Sequence, residues 1–286
     1  MGHGSYSLNK RSVRSKALGY DTKSRQELFS QRSINNAMDP YNVRIRESRD
    51  SAEHPESLSI ILGLDVTGSM GSIPHFLVQK GLPNIVDSII KGGIQHPQVM
   101  FLGLGDHQCD NFPLQVGQFE SSDDLLDKWL TSVYLEGGGG SNDGESYHLA
   151  WYFAAQHTIL DCFEKRSQKG YLFTIGDEPV LKDLPAHTLK ELMGDGQYGD
   201  MTADVLFEMA SKTYEVYHIH VRETRAGSFQ KTIDGWKQLL WDHLLIAERH
   251  EDIVDIISDT IVKGHTHSAI QTLTIPSTND SEEIIL

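Results

Sequence analysis

The sequence contains only two cysteines, Cys109 and Cys162, and this scarcity excludes two kinds of small-domain architecture. Two cysteines do not form a disulfide framework, and there is no Cys-x-x-Cys pair to begin a structural zinc site. Long apolar stretches are also lacking, since the longest run covers residues 58–64, far too short for a membrane-spanning helix. The charged N-terminus is not followed by an apolar segment, which argues against a secretory signal. We therefore expect a cytoplasmic protein that does not interact with membranes.

Basic residues are scarce as well. The chain has 25 Lys and Arg and 40 Asp and Glu, which gives a formal net charge of -15. A phosphate backbone attracts clustered Lys and Arg, so this balance argues against nucleic-acid binding. The charge is distributed unevenly along the chain. Residues 1–57 hold ten Lys and Arg against seven Asp and Glu, a net charge of about +3, which leaves about -18 on the remainder.

Composition divides the chain into three parts. Residues 1–56 form a polar, mildly basic N-terminal arm without sustained apolar periodicity, which favours a solvated and partly disordered segment. The alternative is that the arm docks on its own acidic domain or on a neighbouring copy. Residues 57–264 have the pattern of a folded domain, and residues 265–286 are predicted to be an irregular C-terminal tail.

Apolar strands and helices alternate along the domain. Strands are predicted at 58–65, 99–106, 112–119 (an edge strand), 170–177, 214–221 and 243–248. Helices are predicted at 73–90 with an interruption near Gly81 and Pro83, at 121–130, at 145–165, near 200–212, around 229–240 and at 251–264. This alternation predicts an α/β fold with a doubly wound, mostly parallel Rossmann-like sheet flanked by helices. Ligands of such sheets bind beyond the carboxyl ends of the strands.

Three polar loops fall at those strand ends. The first carries a carboxylate and two hydroxyls at alternate positions, Asp65, Thr67 and Ser69. The second, residues 136–145, contains four successive glycines that let the backbone approach a ligand closely. The third places Asp177 after a predicted strand. Oxygen atoms that converge in this way are the ligands that a hard cation such as Mg²⁺ prefers.

The first loop, Asp-Val-Thr-Gly-Ser, resembles the D-x-[ST]-x-S pattern of the metal-ion-dependent adhesion site (MIDAS) of von Willebrand factor A (vWA) domains. The glycine run and the strand-end aspartate follow in the family's order, and the resemblance covers residues 57–264. It implies a Rossmann-like fold and a site for Mg²⁺ or Mn²⁺ that leaves one position open to a partner's carboxylate. The metal ligands that it implies in the first and third loops are Asp65, Thr67, Ser69 and Asp177.

The glycine-rich loop departs from the family pattern. The family usually supplies a threonine there, and alignment on the glutamate that opens the next helix puts Ser141 at that position. Asn142 and Asp143 add polar groups, and Asp143 could coordinate the metal in place of Ser141. Asp106 follows another strand end and could line the rim, although a plain polar loop is the simpler interpretation. Gly-Asp-Glu-Pro at the third loop resembles the Gly-Asp-Ala-Pro of intracellular, prokaryotic-type members, which tend to serve beside AAA+ ATPases or kinases.

These features predict a metal-dependent protein-binding or scaffold module whose partner presents an acidic residue, within an intracellular assembly or regulatory complex. Two other functions stay open: a structural subunit whose metal only stabilises the fold, and a Mg²⁺-dependent phosphohydrolase. The phosphohydrolase is disfavoured because Thr67 stands where D-x-D-x-T phosphatases carry their second aspartate, an acid–base group. The sequence also has no P-loop or G-x-S-x-G motif. We therefore do not expect an enzyme.

Simpler interpretations exist for the same residues. The first loop could cap a helix, the glycine run could be a linker, and the third-loop aspartate could be an ordinary turn residue. His218 and His220 share one face of a strand, but without a third ligand they are predicted to be packed or exposed. Trp236, Trp241 and the aromatic residues 151–153 are predicted to pack their helices against the sheet.

Overall fold

The computed structural model describes residues 6–20, 22–136 and 144–274. The strands are β1 (Arg46–Ser48), β2 (Leu58–Asp65), β3 (Pro97–Leu104), β4 (Leu114–Val116), β5 (Thr158–Leu160), β6 (Gly170–Gly176), β7 (Asp183–Leu184), β8 (Met201–Thr202), β9 (Tyr214–Val221) and β10 (Leu244–Ala247). The α-helices are α1 (Leu8–Leu18), α2 (Arg25–Leu28), α3 (Ile73–Phe76), α4 (Leu82–Lys91), α5 (Asp123–Thr131), α6 (His148–Gln156), α7 (Asp161–Arg166), α8 (Ala186–Met193), α9 (Ala203–Ala210), α10 (Gln230–Leu240) and α11 (Asp252–Thr274).

Six strands form the main sheet, in the order β4-β3-β2-β6-β9-β10. All neighbours are parallel except β4, which pairs antiparallel with β3 at one edge. Counted in their order along the chain, these strands have the doubly wound order 3-2-1-4-5-6. The strand order reverses between β2 and β6, where Leu64 is paired with Ile175. The predicted doubly wound, mostly parallel sheet is confirmed.

The sheet separates two apolar cores. Alternate side chains of a strand point to opposite faces, so Ile60 and Leu62 of β2 contribute to one core and Ile61 to the other. Apolar residues of α4 and α11 cover the first face, and those of α6 and α9 cover the second. Burial on both faces explains why the parallel strands are almost continuous apolar runs in the sequence.

The helix predicted at 73–90 is interrupted where the sequence indicated. A π-turn over Leu77–Gly81 separates α3 from α4. Pro83 lacks a backbone N–H and its ring crowds the carbonyl one turn earlier, so a regular α-helix cannot continue unchanged through this segment. The wider turn is how the chain keeps its helical course past the proline.

The single long helix predicted at 145–165 is wrong. The chain forms α6, then β5, then α7, and residues 145–147 precede the first helix. Thr158 and Ile159 are β-branched and fit a strand, and β1 of the N-terminal arm supplies the parallel partner for β5. The sequence pattern of one segment could not predict a strand whose partner lies about a hundred residues earlier.

The described part of the N-terminal arm docks on the domain, which is one of the alternatives that the charge pattern left open. The α1 residue Arg11 is buried and forms an ion pair with Asp127 of α5 at 2.8 Å. Met38 is fully buried, and its carbonyl accepts a hydrogen bond from the backbone N–H of Val116. The solvated arm that we favoured from composition is therefore wrong for these residues.

Two further elements differ from the predictions. The closing helix α11 does not end near residue 264 but continues to Thr274, into the segment expected to be irregular. Trp241 does not pack against the sheet: its side chain is 79% exposed, because a positive φ of 50° at the end of α10 turns it away from the helix's buried face. Trp236 is buried as predicted. Among the described residues, no helix combines the length and apolarity needed to cross a membrane.

Candidate metal site

The first predicted loop and the third meet at the carboxyl edge of the sheet. Asp65 ends β2 and Asp177 follows β6, and these strands are neighbours at the point where the strand order reverses. The hydroxyl of Ser69 donates a hydrogen bond to Asp177 Oδ1 at 2.9 Å, and Ser69 Oγ lies 3.1 Å from Thr67 Oγ1. Thr67 in turn bonds to Asp65. Four predicted ligands therefore form two hydrogen-bonded pairs, Thr67 with Asp65 and Ser69 with Asp177, whose hydroxyl oxygens are in contact at the place where doubly wound sheets bind ligands.

Asp65 holds the loop in shape through its Oδ1 atom. This oxygen accepts hydrogen bonds from the backbone N–H of Thr67 at 2.9 Å and from the Thr67 hydroxyl at 2.6 Å. The short helical turn that follows, Gly68–Met70, has no side-chain cap. The loop therefore does not act as the helix cap that we considered from the sequence, and its hydroxyls are directed towards the two carboxylates.

Tyr147 is a member of this cluster that the sequence did not reveal. It is fully buried, and its hydroxyl donates a hydrogen bond to Asp65 Oδ2 at 2.8 Å. A Cβ atom at Gly176 would overlap the phenol oxygen of Tyr147, so only glycine leaves room for it beside β6. The sequence did not indicate Tyr147 as a site residue, because the apolar pattern predicts that residues 145–147 belong to a helix.

Two further acidic residues, Asp106 and Glu145, lie beside this cluster. Asp106 is buried, and its Oδ1 atom accepts a hydrogen bond from the backbone N–H of Gln108 at 2.8 Å. Glu145 is buried as well, and its backbone pairs with Pro179 and Leu181 of the loop that carries Asp177. The Oε2 atom of Glu145 and the Oδ2 atom of Asp177 accept no hydrogen bond from the part of the chain that the structure describes. Ser141, Asn142 and Asp143 lie outside the described residues.

Carboxylate charges repel one another within this buried cluster. Burial raises the pKa of Asp65 to about 7, with the charge of Asp177 as the second cause, although hydrogen bonds from Thr67 and Tyr147 act in the opposite direction. Burial also raises the pKa of Glu145 to about 10, and the nearby charges of Asp65, Asp110 and Asp106 add to the rise. Buried like charges with unused oxygen atoms are the environment that a bound cation relieves. The donor set, which consists of carboxylates and hydroxyls, fits a hard dication.

The buried histidines of β9 are packed, as predicted. His218 stacks on Trp236 with ring centroids 3.6 Å apart, and its Nδ1 atom lies 2.9 Å from the Thr174 hydroxyl. His220 Nε2 lies 2.9 Å from the carbonyl oxygen of Gly227. Neither ring belongs to a group of three metal-binding side chains among the residues that the structure describes.

A separate group that could hold a metal is Glu223, His250 and Glu251, which the sequence did not indicate. Its two glutamates are exposed, and both nitrogens of the His250 ring already face a carboxylate. A surface network of ion pairs and hydrogen bonds accounts for this arrangement without an ion.

Comparison with known proteins finds solved structures that align with part of this chain. No protein-family model and no curated protein matches the chain. The pilus adhesin SpaC from Lactobacillus rhamnosus GG, in its open conformation, aligns at 12% identity over 73% of this chain and 30% of that chain, with a TM-score of 0.49. The vWF domain of the type V pili tip protein Mfa5 from Porphyromonas gingivalis aligns at 10% identity over 74% of this chain and 96% of that chain, with a TM-score of 0.48. A von Willebrand factor type A protein from Catenulispora acidiphila aligns at 10% identity over 73% of this chain and 42% of that chain, with a TM-score of 0.43.

Likeness at such low identity concerns the fold alone, and this chain spans only about 30% of the SpaC chain. The fold assignment rests on the strand order of this structure. The order 3-2-1-4-5-6, with an antiparallel third strand, places the D-x-[ST]-x-S loop at the switch point, where the strand order reverses. The fold is vWA-like. In this vWA-like fold the loops after the first and fourth strands of the main sheet bring Asp65, Ser69 and Asp177 together.

The pH dependence of stability offers a first test of the buried charges in this vWA-like fold. A carboxyl group whose pKa is raised by folding stabilises the native state below its unfolded pKa, and this stability is lost as the pH rises through the folded pKa. Asp65 and Glu145 are such groups. The buried His148 and His218 have lowered pKa values, so their contribution is lost only as the pH falls below about 6.5.

We therefore expect the metal-free protein to lose stability steadily from pH 6.5 to pH 9. Saturating Mg²⁺ should flatten this dependence, because the ion binds the ionised carboxylates. Urea unfolding in a chelator and in Mg²⁺ across this range provides the measurement. A metal-free protein whose stability is constant or rises over the range would show that the two carboxyl groups titrate normally.

Proposed function

We propose that the chain binds Mg²⁺ or Mn²⁺ at the switch point of its sheet and uses the ion to bind an acidic side chain of a partner protein. The observation that carries the proposal is the pairing of two fully buried carboxylates, Asp65 and Asp177, through Thr67 and Ser69. On this proposal the chain is a binding or scaffold module and not an enzyme. The ion itself would supply a positive charge and a coordination position for an outside oxygen.

A dication is the ligand that best accounts for the cluster. Two buried carboxylates without a nearby cation repel each other, and the raised pKa of Asp65 reflects that repulsion together with its burial. Mg²⁺ accepts oxygen ligands only in a compact array and commonly keeps several waters. Asp65, Ser69 and Asp177 are the residues that would hold it, with Glu145 beside them.

Access from solvent supports a binding role for the ion. Asp65, Thr67 and Asp177 are buried, whereas Ser69 and its neighbour Gly68 are exposed. The cluster therefore opens outward at the tip of the first loop. Because the domain itself carries a net charge of about -15, an acidic partner would be repelled at a distance and would depend on the ion for attraction. The resemblance to intracellular vWA proteins makes an AAA+ ATPase or a kinase-linked system the first place to search for that partner.

The complete burial of Asp65 and Asp177 also favours a second function, in which the ion only stabilises the fold. In that case the ion would hold together the loops that follow β2 and β6 without contacting another protein. The two functions differ in one property that can be measured: whether an outside carboxylate reaches the bound ion.

Electron paramagnetic resonance of Mn²⁺ tests the site itself. We expect one Mn²⁺ per chain, with the affinity reduced by about tenfold or more in Asp65→Asn and in Asp177→Asn, since each variant removes a charged ligand. Asp242→Asn removes an exposed carboxylate elsewhere and should bind Mn²⁺ as the wild type does. Equal Mn²⁺ affinity in all four proteins would contradict the proposed site.

Relaxation of water protons by the bound Mn²⁺ then separates the two functions. A short peptide, acetyl-Gly-Glu-Gly-amide, should lower the relaxation enhancement because its carboxylate replaces a water on the ion. The matched glutamine peptide should leave it unchanged. If both peptides have no effect while Mn²⁺ is bound, the stabilising role is the correct one.

A further inference from the structure

A cavity of about 600 Å³ lies beside the candidate metal site. It opens between the loop that follows β6 and the first half of α10. Six of the residues that line it are Glu178, Pro179, Val180, Phe229, Lys231 and Trp236. Glu178 directly follows Asp177, so the cavity and the candidate metal site share one loop. The volume lies in the range of cavities that bind small molecules or side chains.

Two aromatic residues, Trp236 and Phe229, line the cavity. Trp236 is 2% exposed, its indole N–H donates a hydrogen bond to the carbonyl oxygen of Glu178 at 3.0 Å, and its ring stacks on His218. Phe229 is 57% exposed although it is apolar. The exposed phenyl ring, with the ordered indole deeper in the lining, provides a surface for another apolar side chain.

Two charged side chains line the cavity, Glu178 on the metal-site loop and Lys231 on α10. Lys231 is exposed and forms no ion pair within the described residues, in a chain whose net charge is -15. An unpaired cation beside a bound dication would attract an acidic segment and would repel a basic one. The charges of Lys231 and of the bound ion, together with the apolar lining, favour a segment that has both acidic and apolar side chains.

We propose that this cavity receives an apolar side chain, best an aromatic one, from the same partner segment whose carboxylate binds the metal ion. The inference rests on the proposed function, since it assigns to the metal site a neighbouring pocket that selects the partner. The ligand class is an acidic peptide in which an aromatic or large aliphatic residue adjoins the metal-binding aspartate or glutamate. The charge of Lys231 would add to the attraction of that carboxylate.

Matched peptides test this selection on the Mg²⁺-loaded full chain. The probes are acetylated, amidated hexapeptides with Asp-Phe, Phe-Asp, Asp-Ala or Ala-Asp between pairs of glycines. The Trp236 indole N–H resonance, assigned with a Trp236→Phe variant, reports binding at the cavity. We expect one of the two phenylalanine orders to bind about tenfold or more tightly than its alanine counterpart, because a phenyl ring leaves water.

Variants of two residues that line the cavity test whether it causes the preference for phenylalanine. Phe229→Ala should reduce the affinity for the preferred phenylalanine peptide to that for its alanine counterpart, and Lys231→Ala should weaken all four peptides. Both variants should bind Mn²⁺ as the wild type does, because neither residue belongs to the metal site. Val205→Ala, which removes an exposed apolar side chain from α9, is the control and should change nothing.

Two results would overturn the inference, and each differs from failure of the proposed function. Equal affinity for phenylalanine and alanine peptides in both orders would show that the cavity does not select an aromatic side chain. Phenylalanine peptides that bind equally well in a chelator would show that the cavity acts apart from the metal. Failure of the proposed function would be seen earlier, as absence of Mn²⁺ binding by the wild type, and would remove the basis of this inference as well.

Discussion

Asp65→Asn is expected to change the unfolding temperature in opposite directions with and without Mg²⁺. Without metal, the variant should be more stable than the wild type at pH 8, because it removes one of the buried charges that repel each other. An asparagine oxygen can still accept the hydrogen bond from the Thr67 N–H, and the Tyr147 hydroxyl can accept one from the amide nitrogen in place of donating to Asp65 Oδ2.

With Mg²⁺ the order should reverse. Binding of a ligand at a hundred times its dissociation constant stabilises a native state by about 2.7 kcal/mol. For a domain of this size that corresponds to an increase of roughly 5–10 °C in the unfolding temperature. The wild type should gain this increase and Asp65→Asn should lose nearly all of it. Calorimetry in a chelator and in saturating Mg²⁺ measures both effects on the same samples.

Asp242→Asn supplies the matched control for this experiment, because it removes one negative charge at an exposed position. It should gain the full increase from Mg²⁺, which would exclude a general effect of ionic strength. A wild type that Mg²⁺ does not stabilise would contradict the metal site. A variant that is less stable than the wild type in the chelator would indicate that the Asp65 carboxylate is needed to hold the loop, with or without an ion.

The strands of the main sheet were predictable because their signal is local. Each one is a short apolar run that ends in a polar turn, and burial on both faces forces that composition. The positions of Asp65 and Asp177 followed from the same argument, since parallel strands bring their carboxyl ends to one edge. The metal that these residues would hold remains a prediction of the motif.

The rest of the cluster could not be predicted from local patterns. Tyr147 and Glu145 reach the site only because the helix begins at His148, whereas a periodic apolar pattern extends across the whole segment. What keeps the helix from beginning earlier is the pairing of the Glu145 backbone with Pro179 and Leu181, a contact between segments more than thirty residues apart. Side chains that depend on such long-range contacts leave no periodic trace in the sequence.

The charge pattern of the N-terminal arm was likewise only partly informative. Its net charge of about +3 beside an acidic body made docking one of the alternatives, and the structure has it docked. The identity of the acidic partners was hidden, because Asp123 and Asp127 have the spacing of solvent-exposed charges on α5. Both are buried in the structure, where they pair with Arg11 and Arg14.

Arg11→Met is expected to lower the free energy of unfolding by about 3 kcal/mol or more, because it leaves a buried carboxylate without its closest cation. Both side chains of the Arg11–Asp127 pair are 3% exposed, and Arg11 also donates a hydrogen bond to the Val78 carbonyl at 2.7 Å. Arg14 stays within 3.0 Å of Asp127 and should limit the loss. Urea unfolding of the full chain measures the change.

The comparison with Lys10→Met and with a double variant identifies the cause. Lys10 is exposed on the same helix, so its replacement removes an equal charge and should change stability by less than about 0.5 kcal/mol. Arg11→Met combined with Asp127→Leu should recover most of the lost stability, since an apolar pair can replace a buried ion pair. If Arg11→Met costs no more than the Lys10 variant, α1 is held by its other contacts and the arm is not anchored by charge. If the double variant is no better than the single one, the loss comes from the hydrogen bond to Val78 and from packing, not from the uncompensated charge of Asp127.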